Sequence, residues 1–257
     1  MCELFGVNSA KKIPVNNWLK EFFSHSEAHP HGWGLAIFHE GVASVEKEPA
    51  KACYSKYLRE RLRSKLEASD LIAHIRLATV GSLDYENCHP FSKKDNCGRR
   101  WTLAHNGTMF DCPVLHSYFY KQEGQTDSER LLYYFVDEIN EKQEELGRSL
   151  ALKERFDLLD RLLGDITVGN KVNLLFYDGE VMYVHTNYAD SLYYLSFGDT
   201  VLFSTVPLDR QNWKKVPFTT LLAWKDGKLL YQGTNHKHEY VENAKDMEYL
   251  FLDSSLL

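Results

Sequence analysis

Cysteine is scarce in this chain: its 257 residues hold five, at Cys2, Cys53, Cys88, Cys97 and Cys112. The number is odd and no pair has CxxC spacing, which excludes a disulfide framework and leaves five reduced thiols as the expectation. Cys88, Cys97 and Cys112, with His89 and His105, have the composition of a zinc site, but their spacing fits no compact ligand knuckle, so no metal is expected. No GxGxxG follows a strand, and neither GxxxxGK[ST] nor GxSxG occurs, so dinucleotide, P-loop and serine-hydrolase chemistry lack a basis and no cofactor is expected. No apolar run approaches the ~20 residues that span a bilayer, and the first residues lack the pattern of a signal peptide, which points to a cytoplasmic protein. Charge of one sign is also missing: 30 Lys and Arg against 36 Asp and Glu give a net charge of −6. That mildly acidic balance speaks against nucleic acid and against a membrane surface as partners.

Low-complexity stretches, repeats and linkers are absent too. The seven prolines stand singly, and the charged stretch from Asn140 to Arg148 reads as helix, so residues 1–257 are expected to form one domain. A hydrophobic share of 44% against 26% charged is enough to build a sizeable core. Leu4, Phe5 and Val7 suggest a first strand. Trp18, Leu19, Phe22 and Phe23 have helical spacing within Val15 to His25, and Trp33 to Phe38 and Val42 to Val45 read as strands joined by Glu40-Gly41. Leu58, Leu62 and Leu66 predict a helix over Lys56 to Ala68, leading into a strand from Leu71 to Leu77. Gly81 to Gly98 reads as loop, Trp101 to Ala104 as a short strand, and Asp127 to Leu146 as helix. The remainder reads as strand-rich, with hairpins around Asp178-Gly179 and Asp226-Gly227. Consecutive hairpins imply antiparallel pairing, hence an α+β fold of layered antiparallel sheets covered by helices.

Cys2 directly follows the initiator Met1, and its small side chain suits removal of that methionine by an aminopeptidase. The exposed α-amino group, with a pKa of about 7.7 to 8, could then take the thiol proton directly or through one water. Nucleophile and base would share one residue. Taken singly, every other candidate has a structural reading as well. Asn106-Gly107 is also a hairpin-turn dipeptide, Thr79 a strand-end threonine, Asp127 an N-cap residue with Thr126 or Asp127 itself bonding the early N–H groups, and His89 a turn histidine. Arg76 ends an apolar strand pattern, so its charge needs a partner. Tyr118-Phe119-Tyr120 and Tyr133-Tyr134 read as core or partner surface.

The order of the motifs is more telling than any one of them. Cys2 to Gly6 (CELFG), His31-Gly32-Trp33-Gly34, His74 to Gly81 (HIRLATVG), His89-Pro90-Phe91, His105-Asn106-Gly107 and Thr126 to Glu129 (TDSE) together resemble the class II glutamine amidotransferase domain, in particular its short stand-alone members. The resemblance continues weakly through Ser204 to Leu208, where Val206 stands in place of the usual acidic residue, and through Trp213 to Pro217. It implies the four-layer αββα sandwich of N-terminal nucleophile hydrolases, with Cys2 at the end of a central strand. It further implies the Asn106 side-chain amide and the Gly107 N–H as oxyanion donors, Arg76 on the substrate α-carboxylate, Thr79 as a second contact to the amino-acid head, and Asp127 on the α-ammonium. The implied reaction is attack of the Cys2 thiol on a γ-glutamyl amide, release of ammonia or an amine, and hydrolysis of the thioester to glutamate. The substrate is then glutamine, consumed for a separate synthase subunit, or a larger γ-glutamyl conjugate of thiol-metabolite metabolism. A non-catalytic regulatory or binding subunit on the same fold is the third reading, and a homodimer is compatible with all three.

Overall fold

The computed structural model describes residues 2–39, 41–79, 81–110, 112–246 and 248. The expected strand at the N-terminus is β1 (Glu3–Pro14), whose first seven residues are buried. It is followed by α1 (Asn16–Ser24), the hairpin β2 (Trp33–His39) and β3 (Val42–Glu48), α2 (Lys56–Arg63) and β4 (Glu67–Ile75). Glu40, in the turn expected between β2 and β3, lies outside the described residues. β5 (Phe91–Lys94), β6 (Arg100–His105), α3 (Asp127–Leu146) and α4 (Leu152–Ile166) come next. The chain continues through β7 (Leu174–Tyr177), β8 (Met182–His185), β9 (Tyr193–Phe197), β10 (Thr200–Ser204), β11 (Lys214–Lys215), β12 (Leu222–Lys225) and β13 (Lys228–Gln232).

These strands form two sheets, ordered β11-β9-β10-β1-β4-β2-β3 and β13-β12-β8-β7-β6-β5, and every ladder is antiparallel. Strand alternation sends successive side chains to opposite faces, so each sheet has an inner and an outer core. Leu4, Ala36, Phe38 and Ile72 of the first sheet meet Ala104, Leu175, Tyr177 and Val184 of the second. On the outer faces, Phe5, Leu35 and Ala73 pack against Leu19 and Phe22 of α1 and Leu58 of α2, while Leu103, Phe176 and Tyr183 pack against Leu131, Phe135, Leu159 and Leu162 of α3 and α4. The result is the four-layer αββα arrangement.

Three expectations need correction. The helix expected over Lys56 to Ala68 ends at Arg63, because the Asn16 side chain donates to Leu62 O and Ser64 O and accepts from the Leu66 N–H. These bonds divert the backbone into β4, so Leu66 reaches the core from outside the helix. The loop expected from Gly81 to Gly98 contains a 3-10 turn and β5, whose Phe91 lies opposite Leu103 of β6. After Leu146 the chain is not simply strand-rich. It forms α4, where Phe156, Leu159, Leu163 and Ile166 cover the second sheet and Glu154 accepts the Ala151 N–H at the first turn. The helix expected over Asp127 to Leu146 is found with those limits, closed by Gly147 in the left-handed region at φ 65.

Candidate active site

Cys2 precedes β1, the strand held between β10 and β4 near the middle of its sheet. Its Sγ lies 3.4 Å from both Leu77 N and Leu77 O, accepting from the one and donating to the other. Leu77 is positioned by the HGWG segment. Gly32 O accepts from Arg76 N at 2.8 Å, His31 N donates to Arg76 O at 3.0 Å, and His31 Nδ1 accepts from Ala78 N at 2.9 Å. Those bonds take Arg76 and Leu77 out of the ladder, so the strand stops at Ile75 rather than at the expected Leu77. Burial pushes the Cys2 thiol above its ordinary pKa, while the Leu77 backbone and Arg76 oppose that rise and Asp127 adds to it. A thiol so placed needs a nearby base to ionise at neutral pH. Met1 lies outside the described residues.

The second sheet supplies the facing wall. β6 ends in His105, and the next residue, Asn106, is fixed by its N–H donating to Asn173 O at 2.8 Å. The Asn106 side-chain amide makes no hydrogen bond among the described residues. Gly107 passes against residue 171 so closely that a Cβ there would lie 1.9 Å from Lys171 O and 2.4 Å from His105 Nε2. Only glycine fits that approach. His105 donates from Nε2 to Lys171 O and faces the Ser128 hydroxyl with Nδ1, and Thr108 and Lys171 exchange two backbone hydrogen bonds of 3.0 and 3.1 Å. Asn106-Gly107 is therefore not a simple hairpin turn but a crossing over the 171 backbone.

Thr126 caps α3 by accepting the Glu129 N–H at 3.3 Å. Asp127 does not cap: its carboxylate accepts the Met109 N–H at 2.7 Å and meets the Ser128 hydroxyl at 3.2 Å. The helix start is thereby tied to the loop after Gly107. The buried Arg76 donates to Ser82 O at 2.9 Å and Gly81 O at 3.1 Å. Cys2, Thr79, Asn106 and Gly107 line one cleft of about 90 Å³, whereas Arg76 and Asp127 sit outside its lining. His89 is no turn histidine on the surface. Its ring is buried 4.2 Å from His74, and burial keeps both rings neutral, His74 falling to about 3. Val80, within the HIRLATVG segment, lies outside the described residues.

Leu77 and Thr108 line the cleft as well, and so do Phe110, Lys171, Tyr240 and Glu242, the last four of which sequence reasoning did not single out. Lys171 is 64 residues beyond Gly107, and its only sequence signal is a cation just before an apolar strand. Burial lowers its pKa to about 8. Tyr240 is brought in by the segment after β13, whose Tyr240 N donates to Asn187 O at 2.8 Å.

Comparison with known proteins agrees with this architecture. The family described as class II glutamine amidotransferases matches residues 1–199. An uncharacterized protein of Methanocaldococcus jannaschii is 32% identical over 259 residues, covering 90% of this chain and 71% of that protein. Among solved structures, a predicted glutamine amidotransferase from Pseudomonas aeruginosa superimposes with a TM-score of 0.64 at 21% identity, covering 90% of this chain and 100% of its own. Glutamine phosphoribosylpyrophosphate amidotransferase from B. subtilis gives 0.63 at 18% identity over 89% of this chain and 48% of that one. The four-layer sandwich is thus the fold of these solved structures, and on the family match the chain belongs to the class II glutamine amidotransferases.

Proposed function

We propose that the protein hydrolyses a γ-glutamyl amide with Cys2 as nucleophile, once Met1 is removed. The observation that carries this reading is the meeting of Cys2 with Asn106 and Gly107 across one cleft, from opposite sheets. The α-amino group of Cys2 takes the thiol proton, Sγ attacks the amide carbon, and the Asn106 side-chain amide and the Gly107 N–H stabilise the oxyanion. The proton passes to the departing nitrogen, ammonia or an amine leaves, and water hydrolyses the thioester to glutamate. Arg76 takes the α-carboxylate through its guanidinium fork, exchanging carbonyl contacts at Gly81 and Ser82 for the ligand. Asp127 takes the α-ammonium, and Thr79 adds a contact from the cleft wall. Support for these roles comes from the field that Arg76 and Asp127 exert at the Cys2 thiol, which puts both within electrostatic range of the nucleophile.

The same reading takes residues 1–257 as one amidotransferase domain in the cytoplasm; among the described residues no helix is long and apolar enough to cross a membrane. Intact mass tests for the missing methionine. On that protein, Cys2→Ala should abolish hydrolysis of glutamine and of γ-glutamyl amides and leave the fold intact, and a glutamine-analogue diazo ketone should label Cys2 alone. Label on Cys53 or Cys88, or more than a few per cent residual turnover in the alanine variant, would sink the assignment.

A further inference from the structure

An amide carbon bears two substituents, and the proposed head-group contacts account for one of them. Arg76 and Asp127, which would hold that one, lie outside the cleft lining, so the cleft beside Cys2 is left for the other. If ammonia were the sole leaving group, this space would have little to hold, yet it is walled by Phe110, Tyr240 and the side chain of Lys171. Phe110 and Tyr240 lie nearly parallel, with centroids 5.5 Å apart and 9° between planes. Tyr188 backs Tyr240 at 5.9 Å. Lys171 holds its Nζ 3.5 Å over the Tyr188 ring and 4.0 Å from the Glu242 carboxylate. Lys171 is only 4% exposed, whereas the Glu242 side chain is 47% exposed. The deep end of this wall is cationic and aromatic, and its acidic group stands nearer the rim.

The Lys171 backbone is pinned to Thr108 by the paired bonds described above, one residue from Gly107. The Lys171 side chain therefore starts beside the proposed oxyanion site, and its ammonium rests over the Tyr188 ring. We infer that Lys171, Phe110 and Tyr240 form a leaving-group subsite for an amine that carries a carboxylate and an apolar side chain, so that the substrate is a γ-glutamyl amino acid. This rests on the hydrolase reading above. The carboxylate of the leaving residue meets the Lys171 ammonium in a charge-assisted contact, and its side chain lies against the two rings. Lys171 is a specificity residue and takes no part in bond making. The amine leaves with the proton delivered to its nitrogen, as in the general reaction.

The test compares kcat/KM for γ-glutamyl-phenylalanine, for γ-glutamyl-phenethylamide, which lacks only the carboxylate, and for glutamine. A charged hydrogen bond in a sheltered cleft predicts a preference for the carboxylate-bearing substrate of roughly ten- to a hundredfold. Lys171→Met should bring the ratio between the first two substrates close to one, and Lys171→Arg should keep most of it. A wild-type ratio near one, or a ratio that survives Lys171→Met, overturns the subsite. Turnover of glutamine with neither conjugate hydrolysed overturns the subsite and leaves the hydrolase reading standing. Turnover of none of the three by protein lacking Met1 overturns the hydrolase reading, and the subsite with it.

Discussion

Replacing Gly107 by alanine tests how tightly the two sheets are locked at the candidate site. The new Cβ would start 1.9 Å from Lys171 O and 2.4 Å from His105 Nε2, where real contacts begin at 3.0 Å. Neither neighbour is a free-swinging side-chain end: the first is backbone, and the second is a ring fixed at Lys171 O and Ser128. The 107 and 171 segments must part by about 1 Å, a displacement that at a reacting centre costs on the order of 100-fold in rate. Because the Gly107 N–H is a proposed oxyanion donor, the loss falls on kcat, by about 100- to 1000-fold, with KM little changed. Overpacking of this kind also costs roughly 1 to 3 kcal/mol, lowering Tm by about 3 to 10 °C in a chain of this size. Gly147→Ala is the control: its φ of 65 strains an alanine, but nothing lies within 4 Å of the added carbon. That variant should lose about 1 kcal/mol of stability and keep wild-type turnover. Steady-state kinetics with thermal unfolding on both proteins, each checked for Met1 removal, separates the effects. A Gly107→Ala protein with kcat within fivefold of wild type would refute both the close approach and the donor role.

Arg76→Lys should raise KM far more than it lowers kcat, because an ammonium cannot reproduce a two-pronged carboxylate contact, whereas Asn106→Ala should lower kcat by about 100- to 1000-fold with KM near wild type. Equal, purely binding defects in both variants would reduce Asn106 to a structural residue. Asp70, on β4, accepts from Asn8 Nδ2 at 2.8 Å, and burial raises its pKa from 3.8 to about 6. Between those values the folded protein holds a proton that the unfolded chain has released, so stability falls as pH rises through the window and the penalty persists above it. Asp70→Asn should therefore raise the stability at pH 7.5 by roughly 2 kcal/mol and leave it nearly unchanged at pH 3.5. Equal unfolding midpoints for variant and wild type at pH 7.5 would contradict this.

Local chemistry made much of this protein legible from the chain alone. The apolar run at Leu4, the spacing from Leu131 to Ile139, the Thr126 cap and the Asp-Gly turns each encode their element through neighbours a few residues away. The order of CELFG, HGWG, HIRLATVG, HNG and TDSE pointed to the family and to the two-sheet fold. Long-range bonds decided the rest. Asn16 cuts α2 short through contacts 46 and 48 residues away, and Asp127 turns from the expected cap to a brace for Met109 because the 109 loop happens to lie across the helix start. The pairing of Thr108 with Lys171, and the return of Tyr240 over Asn187, exist only once both sheets have formed. A cleft wall assembled from residues 2, 107, 171 and 240 has no periodicity along the chain, since its members share a cavity and not an element, and so only the tertiary structure could put Lys171 beside Cys2.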